Sequence, residues 1–90
     1  MKNQKQKTII NFKKAQSHLD RVIDMVEDDE YCIDIMQQNL AVMGLLKSAH
    51  QMLMKNHLNT CFRKAISAKQ ERKIKKMIEE ILTVTRLVNK

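Results

Sequence analysis

The sequence contains no proline, no tryptophan, one glycine (Gly44) and three aromatic residues, Phe12, Tyr31 and Phe62. Without glycine or proline there is little material for tight turns, and no glycine-rich loop can cradle a phosphate. Enzyme chemistry built on such a loop is therefore excluded, and nothing in the sequence points to a catalytic site. No apolar run approaches the roughly 20 residues of a membrane span. The basic start "MKNQKQKTIINFKK" lacks the apolar core of a signal peptide. A cytoplasmic protein is expected, in a compartment where thiols stay reduced. Its two cysteines are then ligands or redox groups rather than a structural disulfide.

Acidic residues are also scarce, ten against seventeen lysines and arginines, for a net charge of +7. The imbalance is uneven. Residues 1–19 carry five lysines and no acid, residues 20–34 hold seven acids against Arg21, and residues 35–90 carry eleven basic residues against three acids. A soluble protein with a basic surface of this size expects a polyanionic partner, nucleic acid first.

The residues that are present favour helices, and the fold class is all-α. Ninety residues make a single domain, 1–90, with 1–7 expected as a flexible basic tail. In the first helix Phe12, Ala15, Leu19, Val22 and Val26 recur at alternating steps of three and four, an apolar seam. It is expected to stop in "EDDE", residues 27–30, whose carboxylates suit the N-terminus of the next helix. The long second helix should run from about Asp29 to about Ala65, with "SAKQE" as the following turn. A third carries Ile74, Met77, Ile78, Ile81, Val84 and Val88 on one side. A chain this short buries only about 60–65% of its unfolded surface, so the lone monomer is marginal.

One constellation carries chemistry. At 100° per residue Cys32, His57 and Cys61 fall within about 40° of one another on a helix, and His50 joins their stripe. At 1.5 Å per residue, however, Cys32 stands about 37 Å from His57. Either the helix breaks at Gly44 and folds back, or two copies pack antiparallel and each sets its Cys32 against the partner's His57 and Cys61. The second arrangement fits better, since the apolar stripe continues through position 44 with no turn residues around it. It also closes a two-fold dimer. Two thiolates and an imidazole are soft ligands, suited to Cu(I), zinc or iron–sulfur chemistry. Three ligands without an evident fourth favour trigonal Cu(I) over zinc. His50 reads as a packing histidine.

"DDEYCIDIMQQNLAV" followed by "MLMKNHLNTCFRKAI" resembles the CsoR/RcnR family of metal-sensing bacterial repressors, in particular its copper-sensing branch. The similarity covers about residues 10–88, with Cys, His and Cys at the branch's own spacing. It implies a three-helix protomer with a long central helix. Antiparallel dimers would form a four-helix-bundle core and assemble into a flat homotetramer. The implied function is a repressor that binds double-stranded operator DNA and releases it when metal binds. By position, Cys32 comes from one protomer and His57 and Cys61 from the other. Tyr31 and Glu80, with Glu79 as the alternative, match outer residues that couple the metal to the helices. Where copper sensors carry DNA-contacting arginines this sequence has Asn11 and Ser48, with Lys13, Lys14 and Lys47 close by as point charges.

Two further readings compete with a Cu(I)-responsive repressor. Cys32 and Cys61 could form a thiol switch for oxidants or reactive sulfur, although that chemistry needs no His57. A copper-binding helical dimer that never meets DNA is the other, and the acid-free lysine segment speaks against it.

Overall fold

The computed structural model describes residues 2–90, with side chains from Gln4 onward. All regular structure among them is helical: α1 (Lys2–Glu27), α2 (Cys32–His57), a π-helical turn (Leu58–Phe62), α3 (Arg63–Ser67) and α4 (Glu71–Val88). The helical run from Cys32 to Ser67 is uninterrupted, so three helical stretches are joined by two short turns. The chain divides into two compact units, Met1–Met54 and Lys55–Lys90.

In the first unit α1 begins at Lys2, inside the segment read as a flexible tail; only Met1 of that tail lies outside the described residues. No proline or glycine interrupts these residues, and Thr8 Oγ1 donates to the Gln4 carbonyl at 2.8 Å, within the first turns. The helix ends as expected at the acid cluster, but those acids close α1 rather than open α2. Asp29 is left-handed (φ 54°). Its N–H bonds to Val26 O at 3.2 Å and that of Glu30 to Met25 O at 3.0 Å, the paired bonds of a Schellman closure. The backbone groups of Asp29 and Glu30 are thereby spent. α2 starts three residues later than the sequence suggests, at Cys32, with Asp34 as the acid of its first turn.

The short connection lays α1 antiparallel to α2. Ala15, Val22 and Val42 are buried together, and Ile35 and Leu45 pack against them. His18 Nε2 donates to Gln38 Oε1 at 2.6 Å across the same pair of helices. Small side chains at Ala15 and Ala49, both almost fully buried, allow close approach. α2 passes through Gly44 without a break or a positive φ, so the hairpin alternative is excluded.

The second face of α2 is bare. Met36, Leu40 and Met43 are 57%, 63% and 55% exposed, and no large side chain among the described residues is fully buried. These three residues form one stripe, about 100–180° around the helix from Val42 and Ala49.

In the second unit a turn at residues 68–70 joins α3 to α4. Ala65 and Met77 are its buried residues, with Ile74 and Ile81 half-buried. α3 ends in a second Schellman closure, Lys69 N–H to Ile66 O at 3.0 Å and Gln70 N–H to Ala65 O at 3.2 Å. The left-handed residue is Lys69, φ 53°. A side chain with a Cβ costs about 1 kcal/mol in this conformation, and glycine avoids that cost. Lys69→Gly should therefore raise stability by up to about 1 kcal/mol, seen as a higher Tm in thermal unfolding followed by circular dichroism. An unchanged or lower Tm would refute the strain assigned to this turn.

Candidate metal centre and basic cleft

Cys32 is the first residue of α2, and the chain enters it through Tyr31, whose carbonyl accepts from the Ile35 N–H at 3.2 Å. Its thiol is free and exposed, and the Tyr31 ring beside it is 67% exposed. Along α2, Cys32 shares the bare apolar stripe: Met36 and Met43 lie within about 40° of it, and His50 aligns with it. The first candidate ligand thus sits on the surface that α1 leaves uncovered.

His57 is the last residue of α2 and is half-buried, while Cys61 lies in the π turn that follows, free and exposed. In an α-helix four residues overshoot one turn by about 40°. A π turn holds more residues, its bonds running to the fifth residue back, so four residues fall near a full turn. His57 and Cys61 share a face with either count. Thr60 lies between them, its hydroxyl donating to the Asn56 carbonyl at 2.7 Å. The Cys61 sulfur is 3.7 Å from the same hydroxyl, a loose neighbour, because the single proton is already committed to the closer carbonyl. Single π turns cluster at functional sites in helices, and nothing in the apolar periodicity announces this one.

Among the described residues no group of three or more His, Cys, Asp or Glu side chains of one chain gathers to hold a metal ion. His57 and Cys61 are placed one turn apart; Cys32 is presented separately in the first unit. Glu80 is exposed on α4, and the backbone carbonyl of the neighbouring Glu79 accepts from Thr83 Oγ1 at 2.9 Å. The donor chemistry fits a soft ion, two accessible thiols and one imidazole.

The first unit has a second feature. Between α1 and α2 opens a cleft of about 650 Å³ with Lys13, Lys14, Ser17, His18, Arg21 and Gln38 on its walls and Ile10 and Leu45 as apolar lining. No carboxylate lines it. Lys13 and Lys14 are the expected DNA-contacting lysines. Lys47 is exposed but stands on the bare stripe of α2, beside Leu40 and Met43, and lines no part of this cleft. Sequence reading missed Arg21, because it sits inside the acid-rich segment 20–34. The signal that reveals it is the seven-residue spacing of Lys7, Lys14 and Arg21.

The model of the metal-sensitive transcriptional repressor family matches residues 4–86. The chain belongs to this family. Its copper-sensing members include similar proteins. The copper-sensing transcriptional repressor CsoR of Mycobacterium ulcerans is 41% identical over 64 residues, covering 71% of this chain and 55% of its own length. CsoR of Mycobacterium tuberculosis is 39% identical over 62 residues, 69% of this chain and 52% of its own. The copper-sensing repressor RicR of M. tuberculosis is 29% identical over 77 residues, 86% of this chain and 80% of its own. The chain spans about half the length of the CsoR relatives. All three are named as repressors rather than enzymes, and the all-α expectation agrees with this membership. No helix among the described residues is long and apolar enough to cross a membrane.

Proposed function

We propose that this family member is a Cu(I)-responsive transcriptional repressor of the cytoplasm. Metal-free, it binds double-stranded operator DNA through a basic surface that includes Lys13 and Lys14; Lys47, on the stripe that a second copy would cover, stands apart from that surface. On binding Cu(I) at Cys32 of one protomer and His57 and Cys61 of its partner, it releases the DNA. The observation that carries the reading is the shared stripe of α2: Cys32 lies in line with apolar side chains that α1 leaves exposed. A second copy laid antiparallel covers that stripe and brings its own His57 and Cys61 to Cys32. Because α2 does not bend at Gly44, the second copy is the simplest source of the missing ligands.

Burying such a stripe is worth about 25 cal/mol per Å² of apolar surface, and the homodimer becomes the stable unit, pairing further into a homotetramer. Three soft ligands satisfy Cu(I), whereas zinc would need a fourth. Tyr31, next to the first ligand, and Glu80 on α4 are the outer groups. A carboxylate bonded to the histidine's second nitrogen fixes its tautomer and ties the ligand to α4.

Mixing tests the shared site. Cys32→Ala protomers alone and His57→Ala/Cys61→Ala protomers alone should each lose tight Cu(I) binding in anaerobic titrations with a chromophoric chelator. Co-refolded, they should recover one three-coordinate site per heterodimer. No recovery would mean that the ligands do not come from two protomers.

Glu80→Ala tests the coupling. The variant should still take one Cu(I) per protomer yet fail to release DNA, losing most of a coupling on the usual scale of about 1–3 kcal/mol. Fluorescence anisotropy of a labelled promoter duplex, with and without Cu(I), measures it. Release equal to that of the parent would remove Glu80 from the pathway.

A further inference from the structure

We infer that Arg21 grips a backbone phosphate of duplex DNA from the cleft that α1 and α2 form in the first unit, with Lys13, Lys14, Ser17 and His18 completing the anion-binding wall. The inference rests on the repressor reading and adds a residue that the family assignment does not supply.

The cleft is open and about 650 Å³ in volume, and its walls offer two ammonium groups, one guanidinium and one hydroxyl with no carboxylate among them. Arg21 is the only group there with a planar fork. Such a fork matches two phosphate oxygens at once, whereas lysine meets a phosphate as a point charge. His18 is held in place by its bond to Gln38, so this part of the wall is ordered before any ligand arrives. Ile10 and Leu45 make the lining apolar, which lowers the local dielectric and strengthens attraction to an anion.

The occupant follows from the pattern along α1. Lys7, Lys14 and Arg21 are seven residues apart, each about 20° back from the last, so they line one edge of the helix over about 21 Å. A straight row of cations of this length suits a rod of regularly spaced charge. Duplex DNA presents one negative charge per about 1.7 Å of its axis. A small phosphorylated metabolite would engage the cleft but leave the rest of the row unused.

Arg21 has a competing partner. Asp20 adjoins it and Asp24 lies one turn on, so the guanidinium could simply offset the acid-rich corner. Neither carboxylate lines the cleft. The competing role requires only a positive charge, which lysine also provides, and this separates the two explanations.

The test uses the metal-free full-length protein and a labelled duplex from upstream of its own gene, followed by anisotropy across a salt series. Arg21→Ala should lower affinity about tenfold and reduce the slope of log K against log salt by about one per engaged protomer. Arg21→Lys should keep the slope, since the charge remains, but lose several-fold in affinity because the fork is gone. Circular dichroism and Cu(I) stoichiometry should match the parent in both, and Arg21→Gln replaces the alanine variant if that one fails to fold. Parental affinity and slope in the alanine or glutamine variant would overturn the proposal. Under that outcome, loss of binding in Lys13→Ala/Lys14→Ala would place the phosphate contacts on the lysines instead of Arg21. Full parental affinity in Arg21→Lys would reduce Arg21 to a point charge and overturn the fork. A parent that binds no duplex at low salt would instead overturn the repressor reading itself, and Arg21 with it.

Discussion

α2 carries two apolar stripes, and α1 covers only one of them. α1 packs onto the side that holds Val42 and Ala49. The side with Met36, Leu40 and Met43 stays bare. A helix that is apolar on two faces belongs in the middle of a bundle, and the first unit, in which no large side chain among the described residues is fully buried, has no further helix to lay there. Most of what this protein is proposed to do depends on that shortage. A seam left open by one chain is where a second can dock, and the first candidate ligand stands in that seam.

The shortage also bears on the choice of metal. Ligands set along a helix–helix seam have helix backbone on either side, and a fourth protein donor would have to displace packed side chains. Low coordination would be the natural result, and a soft monovalent ion would accept it more readily than zinc. The π turn at Leu58–Phe62 works in the same direction. By widening the helix at the end where His57 and Cys61 stand, it would let these two candidate ligands, one turn apart, approach a common point without bending α2 itself.

Much of this was legible in the sequence, for identifiable reasons. The helices follow from the absence of breakers and from the three-four spacing of apolar residues, which does not depend on the partner. The candidate ligands could be placed on one face because a helical repeat is fixed at 100° per residue. Helix ends were read less well. The acids at 27–30 look like the start of a helix, but a Schellman closure competes for the same residues, and it uses the backbone N–H groups of Asp29 and Glu30 to seal α1. The π turn left no trace, because it adds a residue where the apolar pattern is already broken by Asn56, Asn59 and Thr60. Arg21 was hidden by its acidic neighbours, since a charge count averages over residues that point to different sides of α1. Lys47 shows the converse: a lysine close in sequence to the others, yet placed on the bare stripe of α2 rather than in the cleft.

The two sides of α2 also constrain how metal and DNA could communicate. Gln38 and Leu45, which line the basic cleft, lie about 140–180° around the helix from Met36 and Met43, which line the bare stripe with Cys32. A ligand in the cleft and an ion in the seam therefore cannot compete for space. Beside the route through Glu80 on α4, a link between them can pass through the body of α2 and its packing against α1. That packing is slender: a cluster of small and branched side chains around Ala15, Val22 and Val42, and one hydrogen bond from His18 to Gln38. An interface of this kind has little to hold it in one arrangement. Drawing Cys32 toward a partner's ligands would move α2 as a unit and shift Gln38 relative to His18 and Arg21. Negative coupling then needs no contact between the two ligands, only two packings of α1 on α2, each preferred by one of them.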